Sequence, residues 1–181
     1  MSDAPSDLPA RDDLRRFIRD VADFPKPGIV FKDITPLLLD HAAFTQTVEW
    51  MAEPFRDRGV TRVLGMESRG FIFGARVAPA LGVGFIPARK PGKLPWRRAR
   101  IDYALEYGSD ALEIHEDACG PGDRVLVVDD VLATGGTAQA AAALVRQRGA
   151  TVAGFAFLME LGFLHGRDRL DGAPVDAVLQ Y

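Results

Sequence analysis

The chain has 181 residues, 48% of them hydrophobic, with 22 basic against 25 acidic side chains and a formal net charge of −3. That length and apolar content suffice for one domain with a substantial core, and the mild negative charge excludes a general nucleic-acid binder. A single cysteine, Cys119, excludes an internal disulfide and fits a reducing cytoplasm; no apolar run approaches a membrane span, and MSDAPSDLPARDD lacks the apolar stretch of a signal peptide.

Residues 1–9 are polar and expected to be disordered. Leu14, Phe17, Ile18 and Val21 recur at helical spacing and predict an amphipathic helix over 10–22. Pro25, Pro27, Gly28 and Pro36 then exclude a helix, leaving Phe24–Pro36 as an extended, ordered loop. Asp40 is placed to cap a second helix with Phe44, Val48, Met51 and Phe55 on one face, which Pro54 should kink or shorten.

From Thr61 the pattern alternates. Arg62–Met66 reads as a strand, Gly70–Leu81 as a helix with Gly74 at a close contact, and Val83–Ala88 as a strand. Ile101–Glu106 and Ala111–His115 alternate in polarity around Tyr107-Gly-Ser-Asp, which signals a hairpin. Strand 124–128, helix 136–148 closed by Gly149, strand 152–158 and an edge strand Val175–Leu179 complete the chain. The fold class is α/β: one domain with a mostly parallel sheet flanked by helices and right-handed crossovers. The 24–36 loop and the hairpin decorate that sheet, where specificity usually resides. His41, His115 and His165 have no neighbour at metal-ligand spacing and read as surface residues.

The stretch RVLVVDDVLATGGT, Arg124–Thr137, carries the most chemistry. Val125–Val128 make an apolar run suited to a strand covered on both faces. Asp129 and Asp130 stand at its C-terminal edge, where open α/β sheets bind ligands. Strand neighbours point to opposite faces, so both acids serve one ligand only if the chain turns there. Ala133, Thr134, Gly135, Gly136 and Thr137 expose backbone N–H groups at the start of a strong helix former, which favours a phosphate. No lysine follows Gly135–Gly136 as in a P-loop, and the acids precede the glycines, unlike a dinucleotide-binding fingerprint. Carboxylates for sugar hydroxyls beside amides for a phosphate point to a ribose 5-phosphate. A solvent-exposed Asp-Asp turn before a helix cap is the plainer alternative.

The string resembles the signature of the type I phosphoribosyltransferases. FPKPGIVFKDITPLL, GMESRGFIFG, RKPGKLP and LEYG make the chain similar to the adenine phosphoribosyltransferases within that family, from about Phe24 to Leu158. The resemblance implies transfer of the ribose 5-phosphate of 5-phosphoribosyl 1-diphosphate (PRPP) to adenine, giving AMP and diphosphate. It implies that residues 133–137 hold the 5-phosphate, that Asp129 and Asp130 hold the ribose hydroxyls directly or through Mg²⁺, and that Arg69, Arg89 and Lys93 hold the diphosphate. It also implies that Val30 reads the adenine edge from a hood loop, 24–36, with Phe31 stacking. Glu106 would accept the proton leaving adenine, although a strand-edge glutamate in a hairpin fits it too, and 93–107, with Tyr107, would form a flexible lid. A non-proline cis peptide is implied at Glu67–Ser68. Mg²⁺ is the expected cofactor, bound through substrate oxygens rather than a protein cage, and a cytoplasmic homodimer is the expected assembly.

Two departures stand out: Lys32, where some relatives carry arginine, and the basic Arg97, Arg98 and Arg100, which read as a solvated face. Tyr103 is open between a subunit boundary and a substrate contact. A hypoxanthine, xanthine or orotate transferase would lack the full Phe24–Leu38 segment. A regulator sensing PRPP or a nucleotide would lose the lid residues or add a DNA-binding segment.

Overall fold

The computed structural model describes residues 11–104, 109–170 and 172–181. The chain divides into two compact units, Met1–Val48 and Glu49–Tyr181.

In the first unit a 3₁₀ helix, Arg11–Phe17, precedes strands β1 (Arg19–Ala22) and β2 (Val30–Asp33) and helix α1 (Thr35–Leu39). The helix expected over 10–22 therefore ends at Phe17. The cause is long-range: β1 and β2 pair antiparallel, from Arg19 with Asp33 to Ala22 with Val30. Asp23 adopts a left-handed conformation (φ 57°), Phe24–Pro25 is cis, and Gly28 has φ 85°. The Asp23 carboxylate accepts the Gly28 N–H at 2.7 Å. This turn offers residues 19–22 ladder partners that a lone helical end lacks. Leu14 and Ile18 are buried, as their spacing predicts, and so are Ile34 and Leu37.

Pro36 does not exclude a helix. It lies in the first turn of α1, where its missing N–H is not needed. The Asp33 carboxylate accepts the Thr35 N–H at 2.9 Å and the Thr35 hydroxyl at 2.6 Å. Helix α2 (His41–Ala52) follows, and Asp40 accepts the Ala43 N–H at 2.9 Å, the expected cap. α2 stops short of Pro54, and a 3₁₀ turn, Glu53–Phe55, takes over.

The second unit is built on a five-stranded sheet. In chain order it contains β3 (Arg62–Met66), α3 (Arg69–Ala80), β4 (Gly84–Ala88), β5 (Arg98–Ala104), β6 (Ser109–His115), β7 (Arg124–Leu132), α4 (Gly136–Gln147), β8 (Thr151–Glu160) and β9 (Val175–Gln180). The sheet order is β4-β3-β7-β8-β9, parallel throughout. Val63, Leu64 and Val125–Val128 are inaccessible to solvent, as a strand covered on both faces requires. Four buried alanines of α4, Ala138 and Ala140–Ala142, let that helix approach closely, and Leu144, Phe155 and Phe157 fill the core beside it. Gly65 and Gly74 leave the space that the Phe85 ring occupies; a Cβ on Gly74 would lie 2.8 Å from Phe85 Cε2. Cys119 is buried and free. Burial, and then the charge of Asp123, push its thiol pKa up.

β5 and β6 form an antiparallel hairpin from Arg98–His115 to Ala104–Ser109, longer than the polarity pattern predicts; its tip, 105–108, lies outside the described residues. β7 is longer too. It does not turn at Asp129 but continues to Leu132, paired with β8 throughout, while its pairing with β3 ends at Val128. Among the described residues no helix is long and apolar enough to cross a membrane.

Candidate active site

β7 outruns β3, so its last residues overhang the C-terminal end of that strand while still paired with β8. Asp129 and Asp130 face opposite ways there, as successive strand residues must. Asp129 lines a cleft shared with Met66, Val131, Leu132 and Ala133–Ala138. A Cβ on Gly70 would lie 2.7 Å from its Oδ1, so glycine at the start of α3 is what makes room for that carboxylate. Asp130 is buried and its Oδ2 lies 2.8 Å from Arg69 Nε. That contact lacks the alignment of a hydrogen bond, leaving Oδ2 buried without one. Asp129 Oδ1 accepts the Asp130 N–H at 2.9 Å.

Burial, and then the charge of its neighbour, hold the Asp129 pKa well above the usual carboxylate range. For Asp130, burial raises the pKa more than the Arg69 charge lowers it. Two carboxyls that resist joint ionisation make a site that favours an arriving cation.

The floor of the cleft is main chain. Gly135 precedes α4 in the left-handed conformation, φ 81°, and no side chain caps the helix. The free N–H groups of the first turn of α4 therefore face the cleft beside Thr134 and Thr137, an arrangement that suits an anion. The Tyr103 hydroxyl, on β5, lies 3.4 Å from Thr137 Oγ1 and 3.3 Å from Asp110 Oδ2.

The cations form a second cluster around Glu67, whose peptide bond to Ser68 is cis. Glu67 accepts Arg89 Nε at 3.1 Å, the Lys90 N–H at 3.0 Å and Lys93 Nζ at 2.8 Å. Burial alone would raise its pKa, but Lys93, the Lys90 amide and Arg89 outweigh it and leave the carboxyl below its usual range. Glu113, buried on β6, accepts the Gly92 N–H at 3.1 Å and Arg98 Nε at 3.2 Å. It thereby fixes the 89–93 turn. Lys90 pairs with Asp110, Arg98 with Glu113 and Arg100 with Asp102; Arg97, Arg98 and Arg100 are all exposed, the solvated face that the sequence predicts.

The structure thus gathers Asp129 with residues 133–137, Asp130 with Arg69, and Arg89 with Lys93. Val30 and Phe31 lie on β2 in the first unit, where Val30 is exposed and Phe31 packs edge-on against Phe24 at 5.2 Å. Glu106 and Tyr107 lie outside the described residues. Glu67 and Glu113 escape sequence reasoning because an acid inside a cation site has no local signature. The spacing of Glu67 two residues before Arg69, inside GMESRG, was the one available hint.

Among the described residues there is no group of three metal-ligating side chains. The donor set fits Mg²⁺ of the kind that keeps waters and takes oxygens from a polyanionic substrate. Asp129, which lines the cleft, would supply its protein side, and the space that Gly70 leaves beside Asp129 Oδ1 is the observation that favours this; Asp130 is already engaged by Arg69.

Residues 37–175 match the phosphoribosyl transferase domain family. A Methylococcus capsulatus protein named adenine phosphoribosyltransferase is 58% identical over 170 residues, covering 94% of this chain and 99% of that relative. A Nocardioides protein of the same name is 57% identical over 177 residues, 96% of each chain. The crystal structure of adenine phosphoribosyltransferase from Rhodothermus marinus superposes with a TM-score of 0.90 at 51% identity, covering 94% of this chain and 98% of that one. The Saccharomyces cerevisiae enzyme, complexed with an imino-altritol bisphosphate and adenine, gives a TM-score of 0.88 at 41% identity, with 93% and 98% covered.

Proposed function

The chain belongs to the phosphoribosyltransferase family, in its adenine-specific branch, and from that membership we propose how its residues share the work. The reaction takes adenine and PRPP to AMP and diphosphate. The anomeric carbon of the ribose is attacked by a ring nitrogen as diphosphate leaves, through a transition state in which positive charge builds on the sugar. The observation that carries the assignment is the overhanging end of β7, where two carboxyls lead straight into the open amides of residues 133–137.

The 5-phosphate does not react, and it anchors the substrate at Ala133, Thr134, Gly135, Gly136 and Thr137. Because β7 does not turn, the two acids divide the work expected of both: Asp129, which faces the cleft, holds the ribose hydroxyls and its charge favours the cationic sugar at the transition state, while Asp130, on the other face, acts through Arg69. Arg69, Arg89 and Lys93 receive the diphosphate. Each is held by a carboxylate in the unliganded site, so the diphosphate must replace Asp130 and Glu67 as their partner. Mg²⁺, when bound, supplies neutralisation of the leaving diphosphate.

The main chain of Val30 reads the adenine edge, with Phe31 against the ring. A fixed donor and acceptor there would meet like groups on hypoxanthine, at about 1–3 kcal/mol for each unpaired group. Glu106 takes the proton that neutral adenine loses, and residues 93–107, including Tyr107, close over the site to exclude water. Residues 1–181 work as one catalytic domain, in a cytoplasmic homodimer. Sedimentation at working concentration tests the dimer; a monomer with full activity removes it.

A base panel of adenine, hypoxanthine, guanine, uracil and orotate, with PRPP and Mg²⁺ and scored for diphosphate release, tests the whole reading. Release with adenine alone is expected. Release with another base and none with adenine overturns it.

A further inference from the structure

Behind the 133–137 loop, main chain meets main chain with no room for a side chain. A Cβ on Gly135 would lie 2.4 Å from the Gly166 oxygen, and one on Gly166 would lie 2.1 Å from the Ala133 oxygen. No rotamer change relieves such a contact, because the atoms met are backbone. Gly166 is buried although it sits in the connection between β8 and β9, and connections normally run over the surface.

That connection is pinned at several points. Arg167 forks onto Glu160 at the end of β8, with Nε–Oε1 at 3.1 Å and Nη2–Oε2 at 2.5 Å, and its Nη1 donates to the Val175 carbonyl at 2.9 Å. Glu160 is buried. The Leu161 N–H reaches the Leu132 carbonyl at 2.9 Å, and the Gly162 N–H reaches the Tyr181 carbonyl at 2.8 Å. A bidentate guanidinium–carboxylate pair fixes orientation as well as distance.

We infer that the 162–169 connection is a backstop that holds the phosphate loop in its anion-binding shape, with Gly166 and Arg167 as positioning residues for the 5-phosphate of PRPP. The inference rests on the assignment of residues 133–137 to that phosphate. Amides converging on one small anion tolerate little displacement, and a shift of about 1 Å can cost a hundredfold. The backstop touches the loop from the side away from the ligand, so it acts through Gly135 rather than on the substrate.

Steady-state kinetics of Gly166→Ala, Arg167→Ala, Arg167→Lys and Thr134→Val in the full chain test this. Gly166→Ala should raise both the KM for PRPP and the inhibition constant of AMP by about tenfold or more, since both ligands carry the 5-phosphate. The KM for adenine and inhibition by diphosphate should stay at their wild-type values. Arg167→Ala should move the same two constants the same way, and Arg167→Lys, which keeps the charge but loses the fork, should fall between. If Gly166→Ala does not fold, the Arg167 pair decides. Equal losses in all four constants, or a fall in kcat alone, overturn the inference. So does Thr134→Val weakening PRPP and AMP while the Gly166 and Arg167 variants do not. If Thr134→Val, Gly166→Ala and the Arg167 variants all leave both constants unchanged, the phosphate assignment itself fails and takes the backstop with it.

Discussion

The two ends of the site are built from different materials. The end proposed for the 5-phosphate is backbone: a left-handed Gly135, the first turn of α4 and a glycine pressed against it from behind. The end proposed for the diphosphate is side chain: Arg69 on Asp130, and Arg89 and Lys93 on Glu67. The contrast matches what each end is asked to do. A group that only anchors is served by a fixed cradle whose shape packing enforces. A group that arrives charged and departs is served by cations held by exchangeable partners.

The sharpest break of this contrast lies between the ends, at the acids. Asp129→Asn should cut turnover by about a hundredfold or more, since it removes charge facing the developing cation. The same change should raise the melting temperature of the unliganded protein. Because the folded pKa values of Asp129 and Asp130 are raised, the folded state holds these protons more tightly than the unfolded chain. Their contribution is most favourable in acid and declines as pH climbs from the ordinary carboxylate range through the raised values. Thermal melts across pH should show the stabilisation by Asn growing with pH; a difference that shrinks with pH breaks the reading.

Glu106→Gln comes next, with a fall of about a hundredfold in kcat and little change in the KM for PRPP. A change confined to KM would remove the proton-accepting role.

Glu67→Gln sharpens the comparison from the diphosphate end. With no carboxylate to displace, Arg89 and Lys93 should bind diphosphate several-fold more tightly, a gain of the size expected for a charge-assisted pair in a partly open site (about 1 kcal/mol). Product-inhibition kinetics read this directly, and weaker inhibition would mean that Glu67 serves to aim the cations. Its pKa is lowered, so the stability it adds is present above the ordinary glutamate range and lost as pH falls through the lowered value.

The smallest effect belongs to Tyr103→Phe. Its hydroxyl contacts to Thr137 and Asp110 are long, and their loss should raise the KM for PRPP by about twofold to threefold. No change would show that the hairpin leg and the phosphate loop are uncoupled.

What could be read from the chain beforehand follows the range of the forces involved. β3 and the start of β7 are short apolar runs, and burial on both faces leaves them little choice of structure. The Asp40 cap was legible because its partner, Ala43, is three residues on, and Gly74 because a glycine inside a helical pattern marks a close approach. The N-terminal segment was not: the spacing of Leu14, Phe17, Ile18 and Val21 suits a helix, and only pairing with β2, ten residues on, makes 19–22 a strand. Pro36 misled because a proline that forbids a helix interior is welcome at its first turn. At Asp129 and Asp130 the residues were found but their geometry was not, because β8 carries β7 straight past the expected bend. Gly166 had no signal at all, since its partner is thirty residues away.

The buried thiol of Cys119 gives this molecule a built-in clock. A reagent that modifies only the thiolate meets a sulfur that is both covered and held protonated, so labelling has to wait for the surrounding core to open. With no second cysteine in the chain, the labelling rate reports opening of the β-sheet unit without background. PRPP bound at the far edge of that unit should slow it in proportion to site occupancy, and a rate indifferent to PRPP would place Cys119 in a segment that frays independently of the catalytic edge.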